Sequence, residues 1–225
     1  MLITSSLLSG SQESHLVELG NGHKLQPEVR DAFLSMQQDA FTAGHDLQIA
    51  SSFRHLERQL AIWNAKWRGE RTLYSIDGET LDAESLNDQE KLIAILTWSA
   101  LPGSSRHHWG TDMDIMDKKS VEAWGKPFEL VPEEYQQGGP CYELSCWLQQ
   151  HASTYGFGFP YVEYKGGVAA EPWHLSYQPI ASKLSHHITA EFLHELIQSL
   201  DIEGKETILE SLPMIVKRFV VIDKE

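Results

Sequence analysis

Residues 105–114 read Ser105-Arg106-His107-His108-Trp109-Gly110-Thr111-Asp112-Met113-Asp114, and the order of residue types here decides the architecture. The stretch opens with polar and aromatic groups of no fixed period and breaks at Gly110. It then alternates over residues 111–116 with the period of a strand. A loop that delivers imidazoles runs straight into a strand that delivers carboxylates. His107 and Asp114 lie seven apart, an odd offset that on one unbroken strand would point them to opposite faces. Gly110 supplies the break that lets them converge. Asp112 shares the strand face of Asp114 and competes with it as a ligand; His108 competes with His107. Spacing leaves both choices open.

A second cluster, Glu171-Pro172-Trp173-His174, completes the inventory. Two imidazoles, a carboxylate and a glutamate beside the last imidazole are what a hydrolytic zinc centre requires: three protein ligands, an open position and a base. Trp173 reads as a wall or core residue. Upstream, Arg54 ends an alternating run, where a guanidinium can stabilise an oxyanion or clamp a carboxylate. Gln59, five residues on, adds a potential hydrogen bond to substrate.

Outward from these clusters, Pro27 opens a helix with Val29, Phe33, Met36, Ala40 and Phe41 at helical spacing, and Gly44 stops it. Residues 47–53 alternate as a strand. Leu60, Trp63 and Trp67 mark a helix over 56–67. Residues 69–88 are turn-rich, with Asp77-Gly78 as a loop tip, and a helix follows over 88–100. Residues 117–139 read as an irregular connection, 142–155 and 180–200 as helices, and 203–221 as mostly helical, with Pro213 placed to start a new helix. Residues 1–22 read as a short lead-in segment ending in a turn at Gly20-Asn21-Gly22. Helices at both ends around central strands predict an α+β fold, a small, mostly antiparallel sheet carrying the metal site. The expected organisation is a peptidase unit over 1–180, with a helical extension over 181–225 packed on the same domain.

The 225 residues are 41% hydrophobic, enough for one sizeable core, and the formal net charge of −14 argues against nucleic acid and anionic membranes as partners. No run approaches the ~20 apolar residues of a membrane span, and the N-terminus lacks a basic region ahead of an apolar one. The expectation is a cytoplasmic protein without membrane insertion. Cys141 and Cys146 form neither a CxxC motif nor a disulfide framework and are expected as free thiols.

Taken together, these residues resemble the zinc D-alanyl-D-alanine carboxypeptidases and dipeptidases of the vancomycin-resistance type, a group whose metal-site core is shared with lysostaphin-like peptidases and the hedgehog signalling domain. The pattern Ser-x-His-x-x-Gly-x-Ala-x-Asp is met by Ser105, His107, Gly110 and Asp114. Glu-x-Trp-His is met by Glu171, Trp173 and His174. An upstream Ser-x-aromatic-Arg with a later Gln is met by Ser51, Phe53, Arg54 and Gln59. The resemblance spans roughly residues 25–180. It implies one Zn2+ per chain held by His107, Asp114 and His174, Glu171 as base, and Arg54 as oxyanion stabiliser. Ser105, Gln59 and Trp173 would contact substrate. The implied activity is removal of terminal D-alanine from peptidoglycan-type stem peptides; a cytoplasmic chain would act on recycled muropeptides or on a non-wall peptide. An endopeptidase with the same site and a non-catalytic zinc module are the alternatives. One position departs: Asp112 stands where the pattern has Ala. A carboxylate there either supports a ligand from behind or adds negative charge to the pocket, disfavouring a substrate with a free carboxylate.

Overall fold

A computed structural model describes residues 2–221. Thr4 caps α1 (Ser5–Ser9), and Gly10 ends it at φ 74°. A hairpin of β1 (Val17–Gly20) and β2 (His23–Leu25) follows, turning at Asn21-Gly22. Then come α2 (Pro27–Thr42), β3 (Leu47–Ser51) and α3 (Leu56–Trp67). The two-residue strands β4 (Leu73–Tyr74) and β5 (Thr80–Leu81) pair across the Asp77-Gly78 tip, and α4 (Asp88–Trp98) starts in an Asn87/Glu90 capping box. A 3-10 turn (Arg106–Trp109) leads into β6 (Asp112–Asp117), α5 (Lys118–Trp124), α6 (Tyr142–His151) and β7 (Phe157–Gly158). The chain closes with β8 (His174–Tyr177), α7 (Gln178–Ser185), α8 (Ala190–Ser199), α9 (Lys205–Ile215) and a π-helical turn (Val216–Val220).

The main sheet has strand order β3-β6-β8-β7, every pairing antiparallel, so the fold is α+β as the sequence indicates. Its two faces are divided by the period of two. Met113 and Ile115 of β6, with Leu175 and Tyr177 of β8, join Val29, Phe33, Leu144 and Leu148 in one apolar cluster beneath α2 and α6. Asp112, Asp114, His174 and Ser176 take the alternate positions and so project from the other face. Register makes Asp114 the direct partner of His174 and Asp112 that of Ser176. A second cluster gathers α3, α4 and α7–α9 around Trp63, Leu92, Trp109, Leu193, Ile208 and Ile215.

Four expectations are corrected. The 117–139 connection contains α5, which buries no residue and therefore shows no apolar stripe. The lead-in segment contains α1 and a hairpin; α1 is only five residues long, and its tip carbonyl at Leu8 accepts from Trp109 Nε1 at 3.2 Å. Pro213 does not start a helix. It sits inside α9, because burial of Ile208, Leu212 and Ile215 holds the helix through the position, and the turn beyond widens to π geometry. The 180–200 helix is divided into α7 and α8 around residues 186–189. Among the described residues no helix is long and apolar enough to cross a membrane.

Candidate active site

The antiparallel register brings Asp114 and His174 face to face, and the 3-10 turn before β6 swings His107 onto the same point. His107 Nε2 lies 3.4 Å from Asp114 Oδ2, and His174 Nδ1 lies 3.5 Å from Asp114 Oδ1. The two imidazoles meet edge to face at 4.9 Å. All three are buried.

Hydrogen bonding sets both tautomers. His107 Nδ1 is 2.9 Å from the Ser52 carbonyl, which can only accept, so Nδ1 carries the proton and Nε2 offers its lone pair. His174 Nε2 is 3.0 Å from Asp112 Oδ1 and donates to it, so Nδ1 faces Asp114 and Glu171, as a donor when the ring is charged and with its lone pair when the ring is neutral. His108 is committed elsewhere. Its Nε2 accepts from the Gly103 amide at 3.1 Å and its Nδ1 donates to the Arg54 carbonyl at 2.6 Å. Burial drives its pKa down to about 3. His108 is therefore a neutral strut between two loops.

The group fits a metal ion. One donor atom from each of His107, Asp114 and His174 lies within 4.8 Å of the others, a group positioned to bind a metal. The two contacts engage different Asp114 oxygens, Oδ2 facing His107 and Oδ1 facing His174, so both imidazole nitrogens face the carboxylate. Asp114 Oδ1 is buried without a hydrogen-bond partner, a cost that a cation removes. Burial alone would lower the pKa of His174; hydrogen bonds to Asp112 and Glu171 and the Asp114 charge outweigh it and raise it to about 9. The surroundings thus favour positive charge at this point.

Of the two alternatives for Asp112, it meets the first, a partner behind the ligand His174, and not the second, since it lies outside the cavity. It is 0% exposed and holds a buried network: Oδ1 accepts from Arg106 Nε at 2.7 Å and from His174, and Oδ2 accepts from Thr111 at 2.5 Å. Arg106 also donates to Ser176 Oγ at 2.5 Å and stacks on Trp109 at 5.1 Å. Burial would raise the Asp112 pKa, but the Arg106 charge prevails and lowers it, so the carboxylate stays ionised. Arg106 carried no spacing signal, since only the fold-back of the 3-10 turn onto β6 creates the contact.

One cavity of about 950 Å³ opens on the group, lined by Arg54, Ser105, His107, Asp114, Glu171, Trp173 and His174 among others. Glu171 Oε2 is 3.2 Å from His174 Nδ1. Arg54 reaches Asp114 at 4.0 Å and is held by Gln59 Oε1 at 3.0 Å and Ser51 Oγ at 3.3 Å. Gln59 is fully buried, donates to the Ala100 carbonyl at 2.7 Å, and does not line the cavity; it orients Arg54. Trp173 forms a wall, its ring 5.7 Å from Tyr135. Two further lining residues, Lys66 and Tyr161, had no motif to mark them. Tyr161 packs edge-on against His174 at 5.0 Å.

A family model described as VanY, D-alanyl-D-alanine carboxypeptidase, matches residues 22–180. The chain belongs to this family of peptidases. A Haemophilus influenzae protein described as uncharacterized is 45% identical over 105 residues, which cover 45% of this chain and 72% of that relative. The fold matches the LD-carboxypeptidase LdcB, with a TM-score of 0.55 at 24% identity, covering 88% of this chain and 78% of that one. It also matches the vancomycin-resistance D,D-pentapeptidase VanY in complex with Zn(II), with a TM-score of 0.52 at 24% identity, covering 78% of this chain and 86% of that one.

Proposed function

We propose that this VanY-family chain is a zinc-dependent D-alanyl-D-alanine carboxypeptidase acting on peptidoglycan stem peptides, with one ion per chain held by His107 Nε2, Asp114 and His174 Nδ1. The observation that carries the reading is the convergence, in one cavity, of this donor set with Glu171 at 3.2 Å from His174 and Arg54 at 4.0 Å from Asp114. The zinc complex of the VanY neighbour supports the choice of metal. When bound, the ion supplies Lewis acidity and lowers the pKa of water from 15.7 to about 7.

The remaining work belongs to the side chains. Glu171 takes the proton of the attacking water and returns it to the leaving amine. Arg54, fixed in advance by Gln59 and Ser51, stabilises the negative charge that develops on the carbonyl oxygen. Ser105 offers its hydroxyl to the peptide from the cavity wall, and Trp173 supplies apolar contact.

The test is release of D-alanine from a tripeptide ending in D-Ala-D-Ala by the zinc-loaded protein. Its end-blocked counterpart and a diastereomer with an L residue before the scissile bond are assayed beside it. Preference for the free acid with D configuration supports the reading. Equal cleavage of the blocked peptide makes the protein an endopeptidase, and preference for the L residue makes it an L,D-carboxypeptidase.

A further inference from the structure

Besides Arg54, the cavity is lined by Arg106, which is spent on Asp112 and Ser176, and by Lys66, which the chemistry above does not use. Lys66 lies in the last turn of α3 and is half-buried. Its ammonium donates to Ser99 Oγ at 2.7 Å, at the C-cap of α4. Among the described residues no carboxylate oxygen comes within 4.0 Å of it. An ammonium has three donors, and here one is spent, on a neutral hydroxyl.

Desolvated charges in proteins are as a rule paired, because an unpaired one forfeits hydration without return. Elsewhere on this chain Lys24 meets Glu13 at 2.9 Å and Lys118 meets Glu122 at 3.8 Å, both near solvent. Lys66 is the contrary case. Burial, with the neighbouring charge of Arg71, brings its pKa down to about 8, while Glu171 acts in the opposite sense. It lines the same cavity as Glu171 and Arg54. Arg54 is already tied to Gln59, Ser51 and Asp114, so an incoming anion finds Lys66 the less committed cation. Asp77, Glu129 and Glu133 also line the cavity and oppose a multiply charged anion such as a phosphate.

We propose that Lys66 is a specificity residue that binds a carboxylate of the peptide substrate. The inference rests on the peptidase reading of the same cavity. Either the C-terminal carboxylate or an acidic side chain of the stem peptide would supply the group, and the experiment tells them apart.

Steady-state cleavage is measured for three peptides: the free acid with an acidic side chain, its C-terminal amide, and the free acid with that side chain amidated. Wild type, Lys66→Met and Lys66→Arg are compared after confirming equal zinc content and melting temperature. The expected result is a rise in KM of about 30-fold for Lys66→Met, the effect of losing one charge-assisted hydrogen bond, with kcat within about threefold. Lys66→Arg recovers most of the loss. The peptide on which wild type and Lys66→Met behave alike is the one lacking the recognised carboxylate. Unchanged KM on all three peptides, or a fall in kcat with KM unchanged, overturns the proposal and leaves the peptidase reading standing. Wild type that cleaves none of them overturns the peptidase reading, and this proposal with it. If Lys66→Met does not fold, Lys66→Gln carries the same outcomes.

Discussion

Removing Asp112 should damage stability and metal binding by separate routes, and a second mutation should repair only one. In Asp112→Ala the Arg106 guanidinium stays buried with Ser176 Oγ at 2.5 Å and the Trp109 ring as its remaining contacts. Breaking one side of a buried ion pair costs about 3–5 kcal/mol, because the other charge is left uncompensated. For a chain of this size each kcal/mol moves the melting temperature by about 2–4 °C, so a drop of roughly 6–20 °C is expected in chelator. Arg106→Met in the same background removes the orphaned charge and should recover most of that loss, a coupling of about 3 kcal/mol. Zinc affinity follows a different rule. His174 Nε2 loses its 3.0 Å acceptor in both the single and the double variant, so both should bind zinc about 10–100-fold more weakly. Thermal melts in chelator and competition titration with a chromophoric chelator read the two quantities independently. Additive melting losses would refute the Arg106–Asp112 pairing, and wild-type zinc affinity in Asp112→Ala would refute the role assigned to it behind His174.

Glu171→Gln should retain stoichiometric zinc while turnover falls about 10²–10⁴-fold; undiminished turnover removes Glu171 as the base. His174→Ala should lose most of its zinc, which metal analysis after dialysis decides. With Lys66 at a pKa of about 8, its ammonium is present below that pH and lost above it, so kcat/KM for peptides bearing the recognised carboxylate should fall as pH rises through about 8. That limb should vanish in Lys66→Arg and be absent for the peptide lacking the carboxylate; its persistence in both would count against the assignment. Gly10→Ala places a Cβ 2.5 Å from His108 Nδ1 at a φ of 74°, and should destabilise the protein by about 2 kcal/mol or more, read as a melting shift.

The parts of the fold legible in the sequence are those with a buried stripe. Leu60, Trp63 and Trp67 mark α3 with the bounds observed, since the apolar stripe faces the second cluster and the polar side faces out. α5 has no buried residue, so nothing in its side chains reports the helix. At Pro213 local propensity gives way to the packing of Ile208, Leu212 and Ile215, so the residue that signals a helix start lies inside one. At the site, the alternation after Gly110 correctly put Asp112 and Asp114 on one face of β6. It could not say which neighbour each acid would meet. Asp112 meets Arg106 and His174, whereas Asp114 meets both imidazoles, and that division depends on where the 3-10 turn and β8 come to lie. Lys66 escaped notice for the same reason: its distance along the chain from Arg54 obeys no rule, and only the end of α4 beside it shapes the pocket.

His108, the strut that binds the Gly103 amide and the Arg54 carbonyl, also packs against Gly10, whose carbonyl accepts from the Leu56 amide at 3.2 Å. The guanidinium loop and the imidazole turn are thus pinned to a segment that lies ahead of the family-matched stretch at 22–180. Beyond its other limit, α8 and α9 pack into the cluster that seats Trp109. The stretch that carries the chemistry is therefore shorter than the stretch that keeps it aligned. A fragment trimmed to the matched residues would keep every reacting group and lose what holds them in register.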